Sequence, residues 1–350
     1  MKSFITAAKV TLVLVYLVIF AGAAVRMTGS GMGCPDWPKC FGYYIPPTDI
    51  KQLTWAPNHE YFEGQVIIKD STLWVARQDF TSGATYDASQ FRRYTKHDYA
   101  IFNAKHTWIE YINRLFGALS GLATLIMAVL SVRLWKKDKG LTVLSWFTLG
   151  LLVFQAWLGA TVVYSVLNPV KITIHMVAAL VIVALLLIII RRAEGRVVEA
   201  RYNATFRNVL TIAMILSLLQ IILGTQVRQI VDASTKDMGM ALSNVLDEPT
   251  WHFYIHRTFS FVVFFANLFL VLRNMRLNLG YTKLRWLMLM ILIEIASGIA
   301  MYYFDFPFGS QTIHLVAAAI MFGIQFYLLM ESYLAARNTQ TEPSLTKKAL

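Results

Sequence analysis

His256 and His314 are the residues best placed to do chemistry in this sequence, because each is an ionisable side chain just inside one end of a long apolar segment. Their contexts are Thr250-Trp-His-Phe-Tyr-Ile-His256-Arg257 and Thr312-Ile-His314-Leu-Val-Ala-Ala318. Two imidazoles at similar depth on facing helices form an axial pair for a heme iron. Ser260 follows the first ligand, and Ala317 and Ala318 follow the second, so a flat porphyrin finds small neighbours. The plainer alternative is two polar residues hydrogen-bonding between helices. Repetition of the pattern elsewhere in the chain favours ligation.

That repetition is specific. Residues 107–114 match 250–257 at five of eight positions, and 173–179 match 312–318 at six of seven. Gly159 precedes His175 by sixteen residues, as Gly298 precedes His314, and Gly22-Ala-Ala-Val-Arg26 echoes Gly224-Thr-Gln-Val-Arg228. His175 is therefore the equivalent of His314, but the equivalent of His256 is Asn113, a poor heme ligand. His106, seven residues earlier on the same helical face, is the candidate substitute. Glu110 lies between them where the second half has Phe253, so one half has a carboxylate that the other lacks. A functional site or an interfacial glutamate reaching for water are the two readings, and the broken symmetry favours the first. Arg26, Arg114, Arg228 and Arg257 form two equivalent pairs suited to carboxylates such as heme propionates, or else to water and lipid phosphates.

Positioning these residues takes a membrane scaffold. The 350 residues are 57% hydrophobic and 15% charged, which excludes an ordinary soluble domain. Eight stretches reach the length of about 20 apolar residues that a span needs: 5–27, 106–134, 141–165, 170–190, 206–229, 250–273, 284–304 and 311–336. The first is read as a retained span, since Val25-Arg26-Met27 is no cleavage site. The expected class is an all-α integral membrane protein of eight helices, arranged as two pseudo-symmetric four-helix bundles. Residues 1–195 form the first and 196–350 the second.

The net charge of +12 marks topology rather than nucleic-acid binding, because Lys and Arg gather in alternate loops. Arg133–Lys139, Arg191–Arg207, Arg273–Arg285 and Arg337, Lys347 and Lys348 are placed in the cytoplasm, with both termini. The long loop 28–105 and the loops near 166–170, 230–249 and 305–310 then face outward. Cys34 and Cys40 lie in that long loop, where the compartment permits either a disulfide or free thiols. Residues 41–105 show no clear periodicity and are read as a cap over the first half. The remaining histidines are weaker: His59 and His97 are read as solvent-exposed, and His252 as a supporting residue at most.

Thr28-Gly-Ser-Gly-Met-Gly-Cys34-Pro-Asp-Trp-Pro-Lys-Cys40 resembles the first outer loop of the heme A synthases, the CtaA/Cox15 family. Glu110-Tyr-Ile-Asn113-Arg114 resembles its second-helix motif, with Asn113 where His is usual. The resemblance implies oxidation of the position-8 methyl group of heme O to a formyl group, yielding heme A for terminal oxidase assembly. It implies a heme b cofactor on His256 and His314, substrate heme in the first half with His175 as a ligand, and Glu110 as the catalytic residue; Asn113, Arg114 and His106, the last from its spacing alone, complete the expected substrate-heme site. It also implies an outer-loop pair at Cys34 and Cys40, a heme O synthase and an electron acceptor as partners, and an inner-membrane location with the active face outward. A homo-oligomer is compatible with it. The competing readings are a diheme b-type cytochrome that only relays electrons, and a transporter built on parallel repeats.

Overall fold

The computed structural model describes residues 1–236, 244–245 and 249–346, so Lys347 and Lys348 and part of the 230–249 loop lie outside the described residues. Among the described residues eight long helices run in order: α1 Lys2–Met27, α2 Ala104–Val132, α3 Lys139–Tyr164, α4 Pro169–Glu194, α5 Ala204–Lys236, α6 Trp251–Leu277, α7 Leu284–Tyr303 and α8 Ser310–Thr346. All eight are long and apolar enough to cross a bilayer, as expected of a multi-pass membrane protein. Lipid offers no partner to a backbone N–H or C=O, so continuous apolar runs of this length must satisfy both internally, as helices do. Large apolar side chains such as Val153, Phe154 and Trp157 on α3 are exposed accordingly. α5 and α8 extend beyond the ends expected at 229 and 336.

Local residues set the helix ends. At the start of α4, the Asn168 side chain accepts the Val170 N–H at 3.1 Å, and Pro169 occupies the first turn, where its missing N–H costs nothing. α6 stops at Asn278, whose left-handed backbone (φ 48°) lets its N–H reach Asn274 and Met275 carbonyls.

The all-α expectation needs correction between α1 and α2. Five short strands lie there: β1 Glu60–Tyr61, β2 Val66–Lys69, β3 Thr72–Ala76, β4 Phe80–Thr81 and β5 Phe91–Arg93. β2, β3 and β5 make an antiparallel sheet in that order, and β1 pairs with β4. The cause is local. Asp70 and Ser71 both adopt positive φ (53° and 54°), the two-residue turn that matches strand twist, between the β-branched run Val66-Ile67-Ile68 and Thr72-Leu73-Trp74-Val75. Tyr61, Phe80, Tyr86 and Phe91 pack around one another beneath it.

Two compact units emerge. One comprises Leu14–Ala123 and Leu149–Met176; the other comprises Met1–Val13, Thr124–Thr148 and Val177–Leu350. Within the latter, α5 packs on α6 and α8, and α7 packs on α6 and α8, closing a four-helix ring. α6 and α8 stand on its diagonal. A fully buried amide pair links them, with Gln325 Nε2 donating to Asn267 Oδ1 at 3.0 Å.

Candidate functional site

On that diagonal, the His256 and His314 rings have centroids 6.3 Å apart with planes at 70°. Two metal–imidazole bonds of about 2 Å each, plus about 1 Å from each nitrogen to its ring centre, give roughly 6 Å for an axial pair on one iron. The spacing therefore fits a heme iron between them. No group of three or more His, Cys, Asp or Glu is placed to hold a metal ion among the described residues. An axial pair needs only two.

Each ring is backed by a glycine of the neighbouring helix. A Cβ on Gly224 of α5 would lie 3.0 Å from His256 Cε1, and one on Gly298 of α7 would lie 3.8 Å from His314 Cε1. The same relation recurs in the other compact unit: Gly159 of α3 against His175 Cε1 at 3.4 Å, and Gly22 of α1 against Asn113 Oδ1 at 3.8 Å. Four equivalent glycines thus face four equivalent positions, of which three hold histidine. Buried polar atoms without hydrogen-bond partners collect at these positions: Nδ1 of His175 and of His256, and Oδ1 of Asn113. Such atoms are rare in a finished interior and fit positions made to receive a further group.

Residues four places before three of those glycines support the pattern. Gln155 donates to the His175 carbonyl oxygen at 2.7 Å, and Gln220 donates to the His256 carbonyl oxygen at 2.9 Å. The corresponding residue on α7 is Glu294, whose Oε2 stands 3.1 Å from His314 Nδ1. Ser297 Oγ lies 2.9 Å from the same nitrogen. Gln155, Gln220, Glu294 and Ser297 do not stand out in the sequence pattern described above, although a glutamate inside an apolar span signals function by itself.

Glu110 is almost completely buried, at 4% exposure, and both of its oxygens are engaged. Cys34 N–H donates to Oε2 at 2.8 Å, and Arg114 Nη2 donates to Oε1 at 2.5 Å. The Arg114 guanidinium also donates to three carbonyls of one loop, Cys34 (2.9 Å), Asp36 (2.7 Å) and Lys39 (3.0 Å). That loop is closed by a Cys34–Cys40 disulfide, with both sulfur-bearing residues buried. Asp36 in turn accepts the Phe41 and Gly42 N–H groups, and its carboxyl is raised above the usual range because burial outweighs those bonds and Arg114. Close approach of the loop to α2 depends on Gly33, where a Cβ would come within 2.5 Å of the His106 carbonyl oxygen. Thr107 fastens the contact by donating to the Gly33 carbonyl oxygen at 2.8 Å.

The remaining candidates have different surroundings. His106 sits half-buried in the first turn of α2, beside that loop. Arg228 pairs with Asp232 one turn away at 2.7 Å and donates to Gln311 of α8. Arg257 lies over the Phe253 and Tyr254 rings of its own helix, at 5.8 and 5.3 Å from their centroids. Arg26 occupies the last turn of α1. His97 is not simply solvated, because its Nε2 lies 2.8 Å from the Pro35 carbonyl oxygen.

A family model described as COX15-CtaA, cytochrome oxidase assembly protein, matches residues 6–73 and 75–326. The chain belongs to the COX15-CtaA family. The match takes in the disulfide loop, Glu110 and all four glycine-backed positions. Several similar proteins bear the name heme A synthase. That of Shewanella oneidensis is 26% identical over 59% of this chain, a stretch equal to half of that relative's length. That of Ehrlichia canis is 24% identical, covering 90% of this chain and 89% of the relative. That of Alkalihalophilus pseudofirmus is 22% identical, covering 92% and 94%.

Proposed function

We propose that this chain is a heme A synthase, an oxidoreductase that takes heme O as substrate and oxidises its position-8 methyl group to a formyl group. The heme A formed serves terminal oxidase assembly. One observation carries the reading: of four equivalent glycine-backed ligand positions, three hold histidine and one holds Asn113. The His256–His314 pair suits a retained group, whereas His175 opposite a weak ligand suits a heme that must enter, react and leave.

In this reading residues 196–350 form the cofactor bundle and 1–195 the substrate bundle. Both termini are cytoplasmic, and the reacting face is extracytoplasmic in the inner membrane, consistent with the basic loops. A heme b between His256 and His314 supplies one-electron transfer when bound. His175 ligates the substrate iron and His106 is the available second ligand. Arg26, Arg228 and Arg257 are the cations proposed for the heme propionates. Glu110 is the acid/base. Its oxygens already accept from Cys34 N–H and Arg114, so taking up a proton at Oε1 or Oε2 removes the charge that strengthens those two bonds. Proton transfer at Glu110 is thereby coupled to the disulfide-closed loop. A heme O synthase, an electron acceptor and a second copy of the chain are the partners proposed.

The test is heme extraction from membranes that express the chain beside a heme O source. Heme A should accumulate with the wild type and fail to do so with Glu110→Ala. Bound heme b without new heme A would instead establish an electron-relaying diheme cytochrome.

A further inference from the structure

Three equivalent positions, each four residues before a glycine that backs a histidine, hold Gln155, Gln220 and Glu294. Two glutamines donate an amide N–H to the backbone carbonyl of the neighbouring histidine. A carboxylate has no N–H to donate there. Glu294 instead brings Oε2 to the ring itself, 3.1 Å from His314 Nδ1. The same nitrogen lies 3.1 Å from the Glu294 carbonyl oxygen and 2.9 Å from Ser297 Oγ, whose own proton goes to the Ile293 carbonyl oxygen at 2.7 Å. Each of these neighbours can accept from Nδ1, an arrangement that favours the hydrogen on that nitrogen. The lone pair is left on Nε2, the other ring nitrogen. Among the described residues no carboxylate pairs with the His256 ring, whose Nδ1 is buried without a hydrogen-bond partner.

We propose that Glu294 is the positioning residue of the second bundle's site. It holds His314 as the Nδ1–H tautomer and makes it the stronger donor of the axial pair, which favours the ferric state of the bound heme. An acceptor behind a ligating imidazole fixes ring orientation and raises ligand basicity. A carboxylate does so more strongly than a neutral oxygen, because hydrogen bonds to charged groups are about twice as strong. The inference rests on the reading that His256 and His314 hold heme b. It assigns the two ligands unequal parts.

The test is potentiometric titration of the purified full-length protein with its heme bound, followed by absorbance. Glu294→Gln preserves shape and removes the charge. Heme should stay bound while the midpoint potential rises by about 59 mV or more, a tenfold shift in a one-electron equilibrium. Glu294→Asp draws the carboxylate back from the ring and should raise the potential by less. Ser297→Ala should shift it less than Glu294→Gln does. An unchanged potential in either folded Glu294 variant overturns the proposal, as does a larger shift in Ser297→Ala. If heme binding survives unaltered in both His256→Ala and His314→Ala, the ligand assignment falls and takes the proposal with it. Loss of heme in those two variants with an unmoved potential in Glu294→Gln removes the proposal alone.

Discussion

Cys34 donates its backbone N–H to Glu110 across 2.8 Å, joining residues 76 apart in sequence and tying a disulfide-closed loop to a buried carboxylate on α2. Arg114, one helical turn beyond Glu110, completes the tie by binding both the carboxylate and three loop carbonyls. A guanidinium presents five donors in a rigid fork, and this one divides four bonds between Nη1 and Nη2. Lysine offers a single charged centre and cannot span the same acceptors.

Arg114→Gln should therefore release the loop. Removing one partner of a buried pair typically costs about 3–5 kcal/mol, because it strands the other charge. Cys34 and Cys40 are 0% and 1% exposed, so their disulfide should resist reductant in the wild type. In Arg114→Gln, reduction by a small thiol, followed by alkylation and mass measurement, should be about tenfold faster or more. Arg114→Lys should behave more like Gln than like the wild type. Equal reduction rates in all three proteins would show that Arg114 does not hold the loop.

This part of the site was only half legible in the sequence. Cys34, Cys40, Glu110 and Arg114 stand out by residue type and by the repeat, but their connection does not. Three of Arg114's four bonds go to backbone carbonyls, which leave no trace in side-chain identity. Arg114 consequently reads from sequence as a propionate partner, when its donors turn to the loop. The eight spans were legible because apolar length is a strong signal. The Val66–Ala76 hairpin was legible in principle, through β-branched runs around Asp70-Ser71, but was masked by the mixed aromatic and polar residues beside it. The glycine-to-histidine pairs lie between. Spacing marks the glycines as equivalent, while only the packing of each helix on its neighbour shows what they face.

That packing ranks the glycines. At Gly224 an added methyl would sit 3.0 Å from His256 Cε1, at Gly159 3.4 Å from His175 Cε1, and at Gly298 3.8 Å from His314 Cε1. The last is ordinary van der Waals contact, and the first requires the ring to move. A ring with its position fixed by an iron has little freedom to do so. Heme content per purified chain should fall furthest in Gly224→Ala and least in Gly298→Ala, with Gly159→Ala between. Equal retention in all three would mean that the rings do not hold heme in these positions.

Asp138, between α2 and α3, gives a pH-dependent prediction. Arg192 donates to both of its oxygens, Nε to Oδ2 at 2.7 Å and Nη2 to Oδ1 at 2.8 Å. Those bonds, more than any other influence, hold its carboxyl below the ordinary value of 3.8. A carboxyl that is depressed in the folded state contributes stability above its unfolded value and loses it as pH falls through the folded one. The Arg192 side chain is half exposed, so the contribution is modest, about 0–1 kcal/mol. Asp138→Asn should lower the thermal midpoint slightly at neutral pH. The gap to the wild type should narrow once the pH drops below 3.8 and vanish at lower values. A gap that stays constant through that range would show that the ion pair adds nothing.

Asn113→His probes the asymmetry between the two halves most directly. Gly22 faces Asn113 Oδ1 with 3.8 Å to a would-be Cβ, the same clearance that Gly298 leaves beside His314. Position 113 thus faces a glycine, as His314 does, so no side chain at that point of α1 opposes an imidazole. Asn113 Oδ1 is buried without a partner, so the substitution breaks no hydrogen bond at that atom. Histidine opposite His175 would supply the second strong ligand that the first half lacks, and a heme bound there should stop leaving. The variant should purify with more heme per chain than the wild type, and its extra heme should show a low-spin spectrum. Product formation should fall at the same time, since a closed coordination shell retains substrate and blocks access to the iron. If Asn113→His leaves heme content and turnover at wild-type levels, position 113 does not face the substrate, and the division into a working half and a holding half fails with it.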